Sequence, residues 1–248
     1  MLNQFYNLSC YEEFEIQSTL SGISKVDILK EIGHKIKDYY FFISNDGIFN
    51  WFDLEGNHIE DPSVLKTIIG DYIPITMTKC IIPNSVISID YRALSFCKLL
   101  TSITIPNSVI SIGDDTFLDC ELLTSITIPD SVIHIGSYAF SYCNSLTSII
   151  IPDSVTSIGY GTFYNCKTLK EITIPDSVIN IECEAFSGCE SLKEIVIPSS
   201  VTSIGVRTFS HCYSLKEIIF KGKTLEQVKQ MKNYPFGIED ENIIHISH

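Results

Sequence analysis

The residues best equipped for chemistry in this sequence are cysteines, and six of them fall on a fixed step: Cys97, Cys120, Cys143, Cys166, Cys189 and Cys212 are each 23 residues apart. One thiol per repeat could form a metal or redox ladder, or a structural column. Metal sites need converging ligands, usually C-x-x-C pairs or Cys/His sets, and no such spacing accompanies these thiols. In a stack of repeats, equivalent side chains run parallel at roughly 4.8 Å, whereas a disulfide needs Cβ atoms about 3.8 Å apart and converging. The six are therefore expected as free thiols, small buried hydrophobes with a weak S–H donor. Cys10 and Cys183 lie off the step, and Cys80 stands where later copies carry isoleucine.

The remaining chemistry-bearing types give no catalytic set. His34, His58, His134, His211, His245 and His248 share no ligand spacing, and no phosphate loop, H-E-x-x-H or G-x-S-x-G is present. The acidic turns around Asp46, Asp53 and Glu55 do not alternate as a calcium loop requires. Ser85, Ser108, Ser131, Ser154, Ser177 and Ser200 repeat at one slot. Six identical serines are a poor nucleophile but a good source of hydroxyls for turn backbone groups. The reading is a non-enzyme with no cofactor and no metal.

Recognition chemistry is what remains. One column of repeat-equivalent positions reads Thr101, Thr124, Thr147, Lys170, Lys193, Lys216, and its neighbour Ser102, Ser125, Ser148, Glu171, Glu194, Glu217. A third reads Thr104, Thr127, Ile150, Thr173, Val196, Ile219. Hydroxyls thus give way to paired charges and apolar spots towards the C-terminus, and the Lys and Glu columns can offset one another. Lys170, Glu171, Lys193, Glu194, Lys216, Glu217, Ile150 and Val196 are the candidate partner-binding residues, for a protein of matching charge. A merely solvated face, its columns alike through repeat duplication, is the competing reading. Further tyrosines and histidine (Tyr142, Tyr164, His211 and Tyr213) lie near the variable convex loops.

The elements that must hold these columns follow from the same period. Prolines recur at Pro83, Pro106, Pro129, Pro152, Pro175 and Pro198, and phenylalanines at Phe117, Phe140, Phe163, Phe186 and Phe209, with Leu94 in the first copy. Six copies of IPxSVxxIGxxxFxxCxxLxxIxI fill residues 83–220. A period of 20–29 residues with L-x-x-I-x-I spacing is that of a leucine-rich solenoid. Segments such as IPDSVIHIG, AFSYC and LTSIII resemble the BspA-like leucine-rich repeats. The resemblance implies an α/β solenoid with a continuous parallel β-sheet, short turns or helical pieces on its other side, and caps at both ends. The glycine slot, Gly113, Gly136, Gly159 and Gly205, is expected to permit a positive φ at the corner.

Three segments result: residues 1–76 as an N-terminal cap or small α+β domain, 77–220 as the solenoid, and 221–248 as a C-terminal cap of helix plus strand. In the first, Ser24 to Tyr40 is expected as an amphipathic helix, a hairpin or meander follows around Asn45-Asp46-Gly47 and Glu55-Gly56-Asn57, and Asp61-Pro62-Ser63 starts a second helix to about Tyr72. In the last, Thr224 and Gln227 box a helix to about Lys232, with Leu225, Val228 and Met231 on one face, and Ile243 to Ile246 add a strand.

The net charge of −13 argues against nucleic acid or an anionic membrane surface as the main ligand. No run reaches a membrane span, and the opening residues lack the pattern of a cleavable leader, so an intracellular place is the default, with the cell surface open by a non-classical route. The resemblance implies a protein-binding scaffold, with adhesion or host contact among the family's roles. The alternative is an intracellular adaptor whose N-terminal segment recruits another protein while the repeats select the target.

Overall fold

The computed structural model of the chain describes residues 11–44, 46–69, 73 and 75–247. Each 23-residue copy closes into one coil whose apolar slots point inward. In the copy from Pro129, Val132, Ile135, Phe140, Cys143, Leu146, Ile149 and Ile151 are all at most 5% exposed. No coil can cover this ring alone, so the rings stack into one hydrophobic core running from Phe41 to Ile244. The phenylalanines Phe117, Phe140, Phe163, Phe186 and Phe209 lie as parallel plates, with centroids 5.2 to 5.9 Å apart and planes within 7°.

Three hydrogen-bond ladders join the coils. On the strand face, Lys79–Ile81 pairs with Ser102–Thr104, Ser148–Ile150 with Glu171–Thr173, and Glu194–Ile197 with Glu217–Lys221, which pairs in turn with Ile244–Ser247, all parallel. The expected parallel sheet is therefore present, and its ladder comes in three segments. A second line of two-residue strands, at the S-x-I slots, joins Thr67–Ile68, Ser88–Ile89, Ser111–Ile112 and His134–Ile135, then Ser157–Ile158, Asn180–Ile181 and Ser203–Ile204. Its gap, between Ile135 and Ser157, falls where the strand-face ladder is closed at Ser148–Ile150.

The third ladder, on the turns, has no gap. Each step places three backbone N–H groups on carbonyls of the next coil, as in Tyr138 to Tyr160, Phe140 to Thr162 and Tyr142 to Tyr164 at 2.8 to 2.9 Å. Two slots on each turn are left-handed: Arg92, Asp115, Tyr138, Gly161, Glu184 and Arg207, and Phe96, Asp119, Tyr142, Asn165, Gly188 and His211. Ten of these twelve are not glycine, at about 1 kcal/mol or more each. Through Gly188 every one donates a rung of the ladder. The positive φ thus sits two and six residues beyond the slot where it was expected. Some of the glycines there answer a different need, close approach: a Cβ at Gly136 or Gly205 would lie 2.4 or 2.2 Å from the backbone nitrogen of Asp114 or Cys183, whereas at Gly159 it would come no closer than 3.4 Å to its neighbours.

The cysteine column lines the interior corner. Cys120, Cys143, Cys166, Cys189 and Cys212 each donate S–H to a carbonyl of the preceding coil, Leu94, Phe117, Phe140, Phe163 and Phe186, at 3.0 to 3.3 Å. All the described cysteines are free thiols; Cys10 lies outside the described residues. Burial pushes Cys97, Cys166 and Cys212 up to about 12, and Cys120, Cys143 and Cys189 well above the ordinary thiol value.

The N-terminal segment is a layered plug. Helix α1 (Tyr11–Ser21) and helix α2 (Lys25–Ile32) cover one face of an antiparallel meander of strands β1 (His34–Ile36), β2 (Tyr39–Ile43), β3 (Phe49–Phe52) and β4 (His58–Ile59). Alternation along the strands puts Tyr40, Phe42 and Phe52 against the helices, while Phe41, Ile43 and Trp51 join the solenoid core. The helix expected over Ser24 to Tyr40 has the expected Ser24 cap but ends at Ile32. The aromatic, β-branched run that follows prefers the sheet. The helix expected from Asp61 does not form. Thr67–Ile68 instead pairs with Ser88–Ile89, because Pro62-Ser63-Val64-Leu65-Lys66-Thr67-Ile68 is a worn copy of the P-x-S-V-x-S-I start, with Leu65 opposite Val86. Gly70 to Tyr72 lie outside the described residues.

At the other end, helix α3 (Leu225–Gln230) carries the Thr224–Gln227 capping box and buries Val228. Leu225 faces solvent at 43% exposure, off the expected buried face. Ile244–Ser247 supplies the expected last strand.

The plug is docked through its β2–β3 turn. Gly47 (φ 83°) accepts from the Ile81 N–H at 3.0 Å, and a Cβ there would meet the Lys79 carbonyl at 2.3 Å. Gly47→Ala should destabilise the protein by roughly 2–3 kcal/mol, combining backbone strain with undocking. Gly22→Ala, also at positive φ but with open space around it, should cost only about 1 kcal/mol. Urea unfolding of both variants checks the difference.

The thiol column makes a second prediction. Folded thiols keep protons that unfolded ones lose above about 9, so folding binds protons there and stability falls as pH rises from about 9 towards about 12. At pH 8.5 iodoacetamide should label half-buried Cys183 in the native protein, and the buried ladder thiols Cys97, Cys120, Cys143, Cys166 and Cys189 only after denaturation, as peptide mass mapping would show.

Candidate functional site

The strand face presents the charged columns as the spacing requires. Lys170, Lys193 and Lys216 sit at the rim just ahead of the strands, Glu171, Glu194 and Glu217 at the first strand position, and all six are exposed. Register places Glu194 beside Glu217 and Val196 beside Ile219, so like residues stack along the axis. Ile150, paired with Thr173, is 75% exposed, and Val196 is half-buried. All eight sequence-derived candidates thus share one face.

Among the described residues no salt bridge includes any of the six, although seven others form elsewhere.

One feature of this face is not readable from the repeat. Glu171–Thr173 and Glu194–Ile197 are neighbours that no ladder joins, and a depression of about 510 Å³ lies over the gap. Its lining is Lys170, Glu171, Ile172, Thr173, Lys193, Glu194 and Val196. Ile172 is half-buried, while the equivalent Cys80, Ile103, Ile126, Ile149, Ile195 and Ile218 are at most 9% exposed. Sequence reasoning missed Ile172 because its slot is a core slot in every other copy.

The turn face is arranged differently. Its charges are paired between coils: Arg92 with Asp115 at 3.0 Å, Lys98 with Glu121 at 2.6 Å and Asp119 at 3.0 Å, and Lys167 with Glu190 at 3.1 Å. At the centre, Tyr138, Tyr142, Tyr160 and Tyr164 form an edge-to-face cluster with centroids 5.1 to 6.4 Å apart. Burial, then a hydrogen bond with Tyr160, holds the Tyr138 phenol well above its ordinary value. His211 lies apart, its Nδ1 3.1 Å from the Tyr213 hydroxyl.

No catalytic constellation is assembled among these groups. Ser131, Ser154 and Ser177 donate to the carbonyls of Val109, Val132 and Val155 in the preceding coil, as the turn reading of the serine column expects. Ser85, Ser108 and Ser200 hydroxyls are buried with no partner among the described residues. Among those residues no three His, Cys, Asp or Glu side chains are grouped to hold a metal ion, and no helix is long and apolar enough to cross a membrane.

Comparison with known proteins agrees with this architecture. The BspA type leucine rich repeat region model matches residues 72–182 and 133–244, with six copies. No curated protein matches the chain. A leucine rich cell surface protein from Faecalibacterium prausnitzii is similar at 29% identity and a TM-score of 0.51, over 76% of this chain. The match spans 54% of that protein's chain. A leucine-rich repeat protein from T. pallidum is similar at 28% identity and a TM-score of 0.58, over 73% of this chain and 90% of its own. Leucine-rich solenoids are typically non-catalytic scaffolds, and proteins of this kind bind other proteins or stand at cell surfaces. With its matched copies covering most of its length, the chain belongs to the BspA-type leucine-rich repeat family.

Proposed function

We propose that this chain is a non-catalytic protein-binding scaffold whose C-terminal strand face engages a partner of complementary charge. The observation that carries the reading is six exposed charges, free of salt bridges among the described residues, four of which (Lys170, Glu171, Lys193 and Glu194) line a depression with Ile172 and Val196. Charges left unpaired on a rigid sheet gain more from a partner than paired ones, because no internal bond must first break. The turn face, where charges pair between coils, offers less.

Adhesion or host contact is the setting suggested by the similarity to a protein described as a cell surface protein. The adaptor alternative gives the N-terminal segment a recruiting role of its own. Burial of Phe41, Ile43 and Trp51 in the solenoid core favours a cap instead, since excising the segment would bare those rings and the first coil together.

A pull-down from source-cell extract and from candidate host surface proteins tests the reading, with wild type beside Lys170→Glu/Lys193→Glu/Lys216→Glu. These positions are exposed, so circular dichroism should be unchanged. The partner captured by wild type should be lost by the reversal. Capture by both would move the site to the turns or the N-terminal segment, and capture by neither would leave a structural array.

A further inference from the structure

We propose that the segment received by this strand face is an amphipathic α-helix lying along the solenoid axis, with an apolar stripe flanked by a basic and then an acidic one. The inference rests on the binding-strip reading above and specifies the shape and charge order of the partner. Across each strand the exposed order is Lys, Glu, buried residue, then the Ile/Thr/Val slot, as in Lys193, Glu194, Ile195 and Val196. Three residue steps span about 10 Å, close to the diameter of a helix with its side chains.

The axial spacing selects the helix over an extended chain. Coils repeat at roughly 4.8 Å. Helix positions three apart rise about 4.5 Å and four apart about 6 Å, so long side chains at i, i+3 and i+7 can follow three successive coils. Same-face residues of an extended segment repeat at about 6.6 Å and fall out of step by the second coil.

Charge and apolar content set the helix's faces. Its apolar stripe meets Ile150, Val196 and Ile219, and one bulky side chain fills the depression over Ile172. Beside that stripe, Lys or Arg at the helical spacing faces Glu171, Glu194 and Glu217. Beyond these, Asp or Glu reaches the rim column Lys170, Lys193 and Lys216. The N-terminal half of the face, with hydroxyls in both columns, lacks this code.

The test uses two stapled or linear 21-residue peptides of one composition. In the first, Leu, Lys and Glu stripes run at helical period in the order just given; in the second the same residues alternate with period two. Fluorescence anisotropy should show the helical peptide binding wild type, and weakening about tenfold or more on Glu171→Lys/Glu194→Lys/Glu217→Lys. Exchanging its Lys stripe for Glu should restore binding to that variant. Equal or tighter binding of the period-two peptide would overturn the helix and leave the strip standing. Binding of neither peptide would also overturn it: the strip reading survives if the pull-down partner still depends on the lysines, and falls with it if not.

Discussion

A 23-residue coil supplies a ring of apolar side chains that it cannot cover, and everything else in this protein follows from the need for a neighbour. Because the rings must meet face to face, like stacks on like: phenylalanine plates on phenylalanine, thiols above the carbonyls of the previous coil. The same need explains the ends. A plug of two helices on a β-meander supplies Phe41, Ile43 and Trp51 to the first ring, and Val228, Phe236 and Ile244 close the last.

Stacking fixes the interior and leaves the surface to vary, and the two outer faces use that freedom differently. On the turns, opposite charges one coil apart close on each other, so that face is largely self-satisfied. On the strand face, like charges are stacked with like, and the opposite column is the next residue along the chain. Such neighbours stay separate, which leaves the charges to the solvent or a partner. A break in the ladder beside them adds an apolar hollow at Ile172.

Much of this was legible because a repeat states its constraints many times over. The inward slots, the free-thiol column, the capping box at Thr224 and the outward charge columns all follow from period and residue type. The N-terminal segment, which says everything once, was harder. Ser24 starts a helix as its cap implies, but the aromatic run after Gly33 goes to a sheet because it can bury on both faces there. The strand at Thr67 hides in a worn repeat whose Val slot holds Leu65. The glycine slot misled because two constraints favour the same residue, positive φ and close approach, and only coordinates separate them. The hollow at Ile172 depends on where hydrogen bonding lapses between two nearly identical coils, which no single residue encodes.

The turn ladder also has an electrical direction of its own, opposed across the coil by the S-x-I line, where Gly113, Gly136 and Gly205 point their N–H groups back towards the N-terminal coil. Its three rungs per step all point their N–H groups towards the C-terminal coil, so the peptide dipoles add along the axis as they do in a helix. The N-terminal end of the turn face is therefore the carbonyl, negative end, and the C-terminal end the amide, positive end. The side chains at the two ends are mixed: Arg92 and Lys98 stand with Asp90 at the first full turn, while Glu239 and Asp240 lie beside the last, which also carries Arg207. Each duplicated coil lengthens this dipole without changing its end charges, so an array can grow by whole repeats while its two terminal turns keep the same electrostatic task.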